Sequence, residues 1–251
     1  MHPSPASART LTRRRVLGFA AAGAAAIALP ACASAPRSAM APEPVEPTVP
    51  AMPELGSYAS MYGPIYDGGF DLPAIPIQRM DQRYLRQLVA DPTGEAPGTL
   101  VVDTSGHFLY LVMQGGQAMR YGVGLGRAGF EWAGRGYIEH KQPWPRWFPP
   151  DEMIARQPEI EPYRARQIPG TNDWEGGMQP GLNNPLGARA LYIFQDGKDT
   201  LYRLHGSPEW NSIGKSVSSG CVRLMNQDII DLYDRVPEQT AIVVRGGFGV
   251  G

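Results

Sequence analysis

Cysteine and histidine are scarce in this sequence. Its 251 residues hold two cysteines, Cys32 and Cys221, and four histidines, His2, His107, His140 and His205. Ligands so few and so scattered lack the clustered spacing of a zinc or other metal site, so no metal or cofactor is expected. Long apolar runs are missing too. The best candidate, Val16 to Leu29, would reach about 21 Å as a helix, against a hydrocarbon core of about 30 Å. There is no excess of positive charge: the formal net charge is −1. Arg9, Arg13, Arg14 and Arg15 all precede the first acidic residue, so the rest of the chain is more acidic still. That balance gives no electrostatic reason to expect nucleic acid as a partner.

The start reads as a targeting segment rather than as fold, over 1–33. The basic head and Thr12-Arg13-Arg14-Arg15-Val16-Leu17 lead into the weakly hydrophobic Ala-Gly run, in the pattern of a twin-arginine export signal. A plain signal peptide with a basic head is the rival reading. At its end, Leu29-Pro30-Ala31-Cys32 is open to two interpretations. Cys32 is acylated as a lipoprotein residue and anchors the chain, or cleavage after Ala33 discards it. Either way Cys221 is left without a disulfide partner in an exported protein, and an unpaired thiol in an oxidising compartment asks for a chemical reason. The expected location is the periplasm or cell envelope.

Glycine and proline are abundant, 30 and 25 residues, which argues for many turns and a mainly β body with a few helices. Residues 34–75 are rich in Pro and Ala at first and read as a tether. Residues 76–97 read as a helical lead-in, with Asp81 as cap and Tyr84/Leu88 and Leu85/Val89 sharing a face. A catalytic domain is expected over 98–246, and 247–251 as a tail. Thr99 to Asp103 and His107 to Met113 form a predicted hairpin around Thr104-Ser105-Gly106, and Gly115-Gly116 turns into a third strand. Gly122, Gly124 and Gly126 are not read as a nucleotide loop, because the strand alternation continues through them. Trp144 and Trp147 fit packing over the sheet better than a substrate wall. The loop-like stretch 157–185 is long enough to suggest a functional rim. Strands are expected at Tyr137 to His140, Ala190 to Phe194, Thr200 to Leu204 and Thr240 to Val244, with a helix capped by Asn226 running to Val236 and Ile229, Ile230, Tyr233 and Val236 on its buried side.

The chemistry concentrates in one stretch, His205 to Leu224, HGSPEWNSIGKSVSSGCVRL. A thiol is a strong nucleophile as its thiolate, and an imidazole is the usual means of making one near neutral pH. His205 ends a predicted strand, and the spacer is loop-like enough to fold Cys221 back towards it. Gly206 and Gly220 flank the pair. The glycine before the sulfur lets a carbonyl approach the amides of Gly220 and Cys221, the parts of an oxyanion site. His2 lies in the signal, and His107 and His140 sit in strand positions with no matching motif.

His-Gly followed by Ser-x-Gly-Cys-Val-Arg-Leu resembles the signature of the L,D-transpeptidase catalytic domain (YkuD-like) family, and the resemblance runs from about Gly98 to Val244. It implies a β-sandwich-like domain that exchanges peptide bonds in peptidoglycan stem peptides through an acyl-enzyme on Cys221. His205 would be the general base. Ser218 matches a family Ser/Thr that steadies the loop. Ser219 departs from the family, which commonly has His or Arg there. Gly206 and Arg223 are candidate substrate contacts, and Arg223 is equally suited to pairing with an internal carboxylate. The implied reaction makes 3-3 cross-links with release of D-Ala. Water as acceptor would make an L,D-carboxypeptidase, and a protein lysine would make an anchoring enzyme. A different class of reading is an envelope lipoprotein that binds peptidoglycan without chemistry.

Overall fold

A computed structural model describes residues 56–126, 132–218 and 221–246. Nine strands make one mixed sheet: β1 (Gln87–Ala90), β2 (Leu100–Asp103), β3 (Phe108–Met113), β4 (Gln117–Gly122), β5 (Gly134–Pro143), β6 (Arg189–Gln195), β7 (Lys198–Ser207), β8 (Val222–Met225) and β9 (Ala241–Arg245). Their order across the sheet is β8-β7-β6-β5-β9-β2-β3-β4-β1. Neighbours are antiparallel except β7 with β8 and β9 with β2.

The hairpins form where the sequence placed turn chemistry. Asp103 Oδ1 accepts from the Ser105 and Gly106 amides, both at 3.0 Å, closing β2 onto β3 as an Asx turn. Gly115 and Gly116 have φ of 74° and 70°, the left-handed pair that a tight hairpin between β3 and β4 requires.

Alternate residues of these strands face one core. Leu100, Leu109, Met119, Ile138, Leu191, Leu204 and Val222 meet Ile229, Leu232 and Val236, from or just beyond helix α3 (Asn226–Arg235). One face thus serves the whole sheet, so the sheet is rolled around its core, in keeping with the sandwich-like form expected. The roll nearly closes. Gly124, just past β4, exchanges both main-chain hydrogen bonds with Arg223 of β8 at 2.9 Å, and Leu125 bonds Lys215.

Four expectations change. Residues 76–97 are not a helical lead-in: Asp81 caps only the single turn Gln82–Tyr84, accepting from Arg83 N at 3.0 Å. The chain then extends as β1 against β4, because an unpaired strand edge outweighs weak helix propensity. Within 34–75, residues 56–75 belong to the fold, with the short helix α1 (Tyr58–Met61) and a small hairpin, Ile65–Asp67 with Phe70–Leu72. Tyr62 is 1% exposed there, and burying one tyrosine so fully fixes its segment. Asn226 does not cap α3; it is the first helical residue, and its Oδ1 accepts from Ala188 N at 3.0 Å. On α3 Leu232 replaces Ile230 and Tyr233 as the fully buried partner of Ile229 and Val236. Trp144 and Trp147 are both buried, Trp144 tilted on Phe70 with ring centroids 4.1 Å apart. The insertion between β5 and β6 carries α2 (Asp151–Arg156), a 3-10 segment Pro158–Tyr163 and a two-residue hairpin, Arg166–Gln167 with Trp174–Glu175.

Candidate active site

The spacing of His205 and Cys221 has a topological cause. Parallel neighbours cannot be joined by a tight turn; they need a crossover of about a dozen residues. The chain leaves β7 after Ser207, makes a 3-10 turn at Trp210–Ser212, and returns to start β8 at Val222. The register sets Leu204 opposite Val222 and His205 opposite Arg223. Leu204, Val222 and Leu224 face the core, so alternation puts His205 and Arg223 on the other side. Cys221 comes one residue before Val222, at the entry to β8, so it lies two residues from His205 in the register of adjacent segments.

His205 is buried, and its Nδ1 lies 2.6 Å from the Gly206 carbonyl. A carbonyl only accepts, so Nδ1 carries the proton and Nε2 is the basic nitrogen. Burial pushes the imidazole pKa down to about 4. The Gly206 and Pro185 carbonyls oppose that shift, and the Arg223 and Arg203 charges reinforce it. The ring is therefore neutral and able to accept a proton at neutral pH. Burial likewise raises the pKa of half-buried Cys221. The Arg203 main-chain amide, hydrogen-bonded to the sulfur, opposes that rise, and so do the charges of Arg203 and Arg223. Both groups therefore rest uncharged, the sulfur as a thiol and the ring as a neutral imidazole.

Close packing holds the ring in place. A Cβ on Gly206 would fall 2.3 Å from Asn226 Oδ1 and 2.9 Å from Ile229 Cγ2, and one on Gly187 2.2 Å from that same Oδ1. Gly206 thus faces α3. Its carbonyl serves the histidine. The segment before β6 lies across β7 because Asn184 organises it. Its Nδ2 donates to the Pro145 and Gln179 carbonyls at 3.0 and 3.1 Å, and its Oδ1 accepts from Leu186 N. Arg223 pairs with Glu209 of the crossover, Nη1 to Oε2 2.6 Å. Of its two expected roles, the structure supplies the carboxylate partner, though an exposed one.

Gly220, Ser219 and the Ser218 side chain lie outside the described residues, as do Cys32, the signal and the tail. Sequence reasoning missed Asn184, Asn226, Arg203 and Glu209. Asn184-Pro185-Leu186-Gly187 carried the only signal, a turn-forming run just before a strand. For the others the signal is tertiary.

Comparisons with known proteins identify the family. The family model for the L,D-transpeptidase catalytic domain (YkuD) matches residues 97–244. The probable L,D-transpeptidase YbiS of Escherichia coli K12 is 35% identical over 124 residues, covering 48% of this chain and 35% of that protein. The putative L,D-transpeptidase YqjB of Bacillus subtilis is 37% identical over 83 residues, 33% of this chain and 42% of that protein. The chain thus spans less than half the length of these curated relatives. Among solved structures, one from Brucella melitensis described as a probable carnitine operon oxidoreductase is 41% identical, covering 64% of this chain and 94% of that one, with a TM-score of 0.42.

Proposed function

The chain belongs to the L,D-transpeptidase catalytic-domain family, and we propose that it is an exported enzyme acting on peptidoglycan stem peptides through a cysteine acyl-enzyme. The observation that supports this is the β7–β8 register, in which His205 is opposite Arg223, two residues past Cys221. Nε2 of His205 takes the thiol proton as the sulfur attacks the carbonyl at the L-centre of the third stem residue. The C–S bond forms, the peptide bond to terminal D-Ala breaks, and the same proton passes from Nε2 to the departing amine. An amine from a neighbouring stem then attacks the thioester. It loses its proton to Nε2 and leaves a 3-3 cross-link, while the sulfur regains a proton.

A pure peptidoglycan binder needs neither a thiol nor a base held neutral by burial, so that reading is the weaker one. The acceptor is tested directly. Purified tetrapeptide dimers incubated with the protein should yield 3-3-linked products and free D-Ala, both abolished by Cys221→Ala. Tripeptide products alone would assign water as acceptor. Linkage to a protein lysine would assign anchoring. D-Ala release that survives Cys221→Ala would overturn the cysteine mechanism.

A further inference from the structure

Beside the sulfur stands a residue that the family signature does not include. Since Leu204 is opposite Val222, Arg203 is level with Cys221, and its main-chain amide hydrogen-bonds the sulfur. Its side chain lies on the His205 side of the sheet, in a row that crosses four chain segments. Tyr192 of β6 is cross-strand from both His140 of β5 and Arg203 of β7, and Cys221 completes the row. The guanidinium lies over the Tyr192 ring, 4.4 Å from its centroid, and Tyr192 in turn stacks on His140 at 4.0 Å. Asp199 grips it with two prongs, Nη1 to Oδ1 and Nη2 to Oδ2, both 2.7 Å, and the Tyr202 carbonyl takes a further bond at 2.9 Å. With its side chain only 15% exposed, the group is a fixed charge in a weakly screened place.

Taking the site to be a cysteine nucleophile as above, we propose that Arg203 is its positioning residue. The amide and the braced guanidinium together stabilise the sulfur anion that attack requires, and Tyr192 and Asp199 hold the charge in place. The charged groups facing the sulfur are Arg203 and Asp199 from β7 and Arg223 from β8. The two arginines favour the anion and Asp199 opposes it, more weakly than either. Arg223 is the less firmly held of the two cations, because its partner Glu209 is 62% exposed at the side chain. The Arg203 charge also disfavours a proton on His205, which keeps the base ready. An arginine suits the task better than a lysine would, because a planar fork can be clamped by a carboxylate and stacked on a ring at once.

The test is the pH profile of Cys221 alkylation by iodoacetamide in the full chain, with Cys221→Ala subtracted to remove any signal from Cys32. In Arg203→Gln the midpoint should rise by about one pH unit, and the rate below both midpoints should fall about tenfold. Arg203→Lys, which keeps the charge, should restore the rate to within about twofold. Tyr192→Leu, which keeps the charge but loosens it, should give a smaller rise, and it carries the test alone if Arg203→Gln does not fold. An unmoved midpoint in the folded variants would overturn the proposal. So would a shift in Arg203→Lys as large as in Arg203→Gln, since packing would then be the cause. D-Ala release that persists in Cys221→Ala would instead sink the cysteine reading, and it would do so without any change in the alkylation profile.

Discussion

Helix α3 is flanked by two buried polar regions that differ in how they hold charge. Towards β7, where Asn226 begins the helix, His205 is kept neutral: burial drives its pKa to about 4. Two residues further along, Asp228 is buried against the N-terminal segment. There burial pushes its carboxyl up to about 7, against the pull of Arg86 and the Tyr62 hydroxyl. Tyr62 Oη donates to Asp228 Oδ1 at 3.0 Å and accepts from Arg86 N at 2.5 Å, while Arg86 Nη1 meets Asp231 at 2.9 Å. Asp231 also receives bonds from Tyr121 and Arg235, and its pKa is lowered although it too is partly buried. Asp228 and Asp231 differ in their partners: arginine nitrogens bond Asp231 directly, while among the described residues Asp228 receives only a phenol. Burial alone makes a group neutral; burial with a bonded cation keeps it ionised.

The sharpest break in this comparison is His205→Ala, which removes the base and spares the clamp. D-Ala release from a tetrapeptide should fall about 10²–10⁴-fold with little change in melting temperature. Tyr62→Phe does the reverse. It strips the donor from Asp228 and the acceptor from Arg86 N, and should cost about 1–3 kcal/mol in denaturant unfolding while turnover per folded molecule holds.

Asp228→Asn tests the sign of the charge effect. A carboxyl raised from 3.8 to about 7 contributes stability that is present at low pH and lost as pH rises through that window. His205, lowered from 6.5 to about 4, works the other way, losing stability as pH falls. Melting curves of wild type should therefore change little between pH 4 and 6.5 on account of these two. In the Asn variant the melting temperature should climb with pH over that range, and its advantage should level off above pH 7. The smallest effect is expected for Glu209→Gln, which releases Arg223 from an exposed partner. A change of less than about 1 kcal/mol in stability, fading in high salt, would fit.

The sequence made one of these regions visible and hid the other. Around the site, function and local pattern coincide: a predicted strand reaches His205, a glycine follows, and a loop-like spacer leads back to Cys221. Hairpins were equally legible, because Asp103-Thr104-Ser105-Gly106 and Gly115-Gly116 carry their turn chemistry in their own residues. The clamp was not. Tyr62 sits in an aromatic, proline-studded stretch with no periodicity, and its partner is 166 positions away. Residues Gln87–Ala90 looked helical because their spacing suits a helix face, and only the waiting edge of β4 makes them a strand. Asn226 has the composition of a cap, but the amide that it accepts from belongs to Ala188, and no local rule points there.

The near-closure of the sheet bears on how a peptide can reach the sulfur. β8 is nominally the outermost strand, the place where an incoming chain would ordinarily extend a sheet by pairing with its free amides and carbonyls. At Arg223 both of those groups are already taken by Gly124. A peptide substrate of the kind proposed above would therefore find no backbone ladder to zip onto there, and would come down over the broad side of the sheet instead.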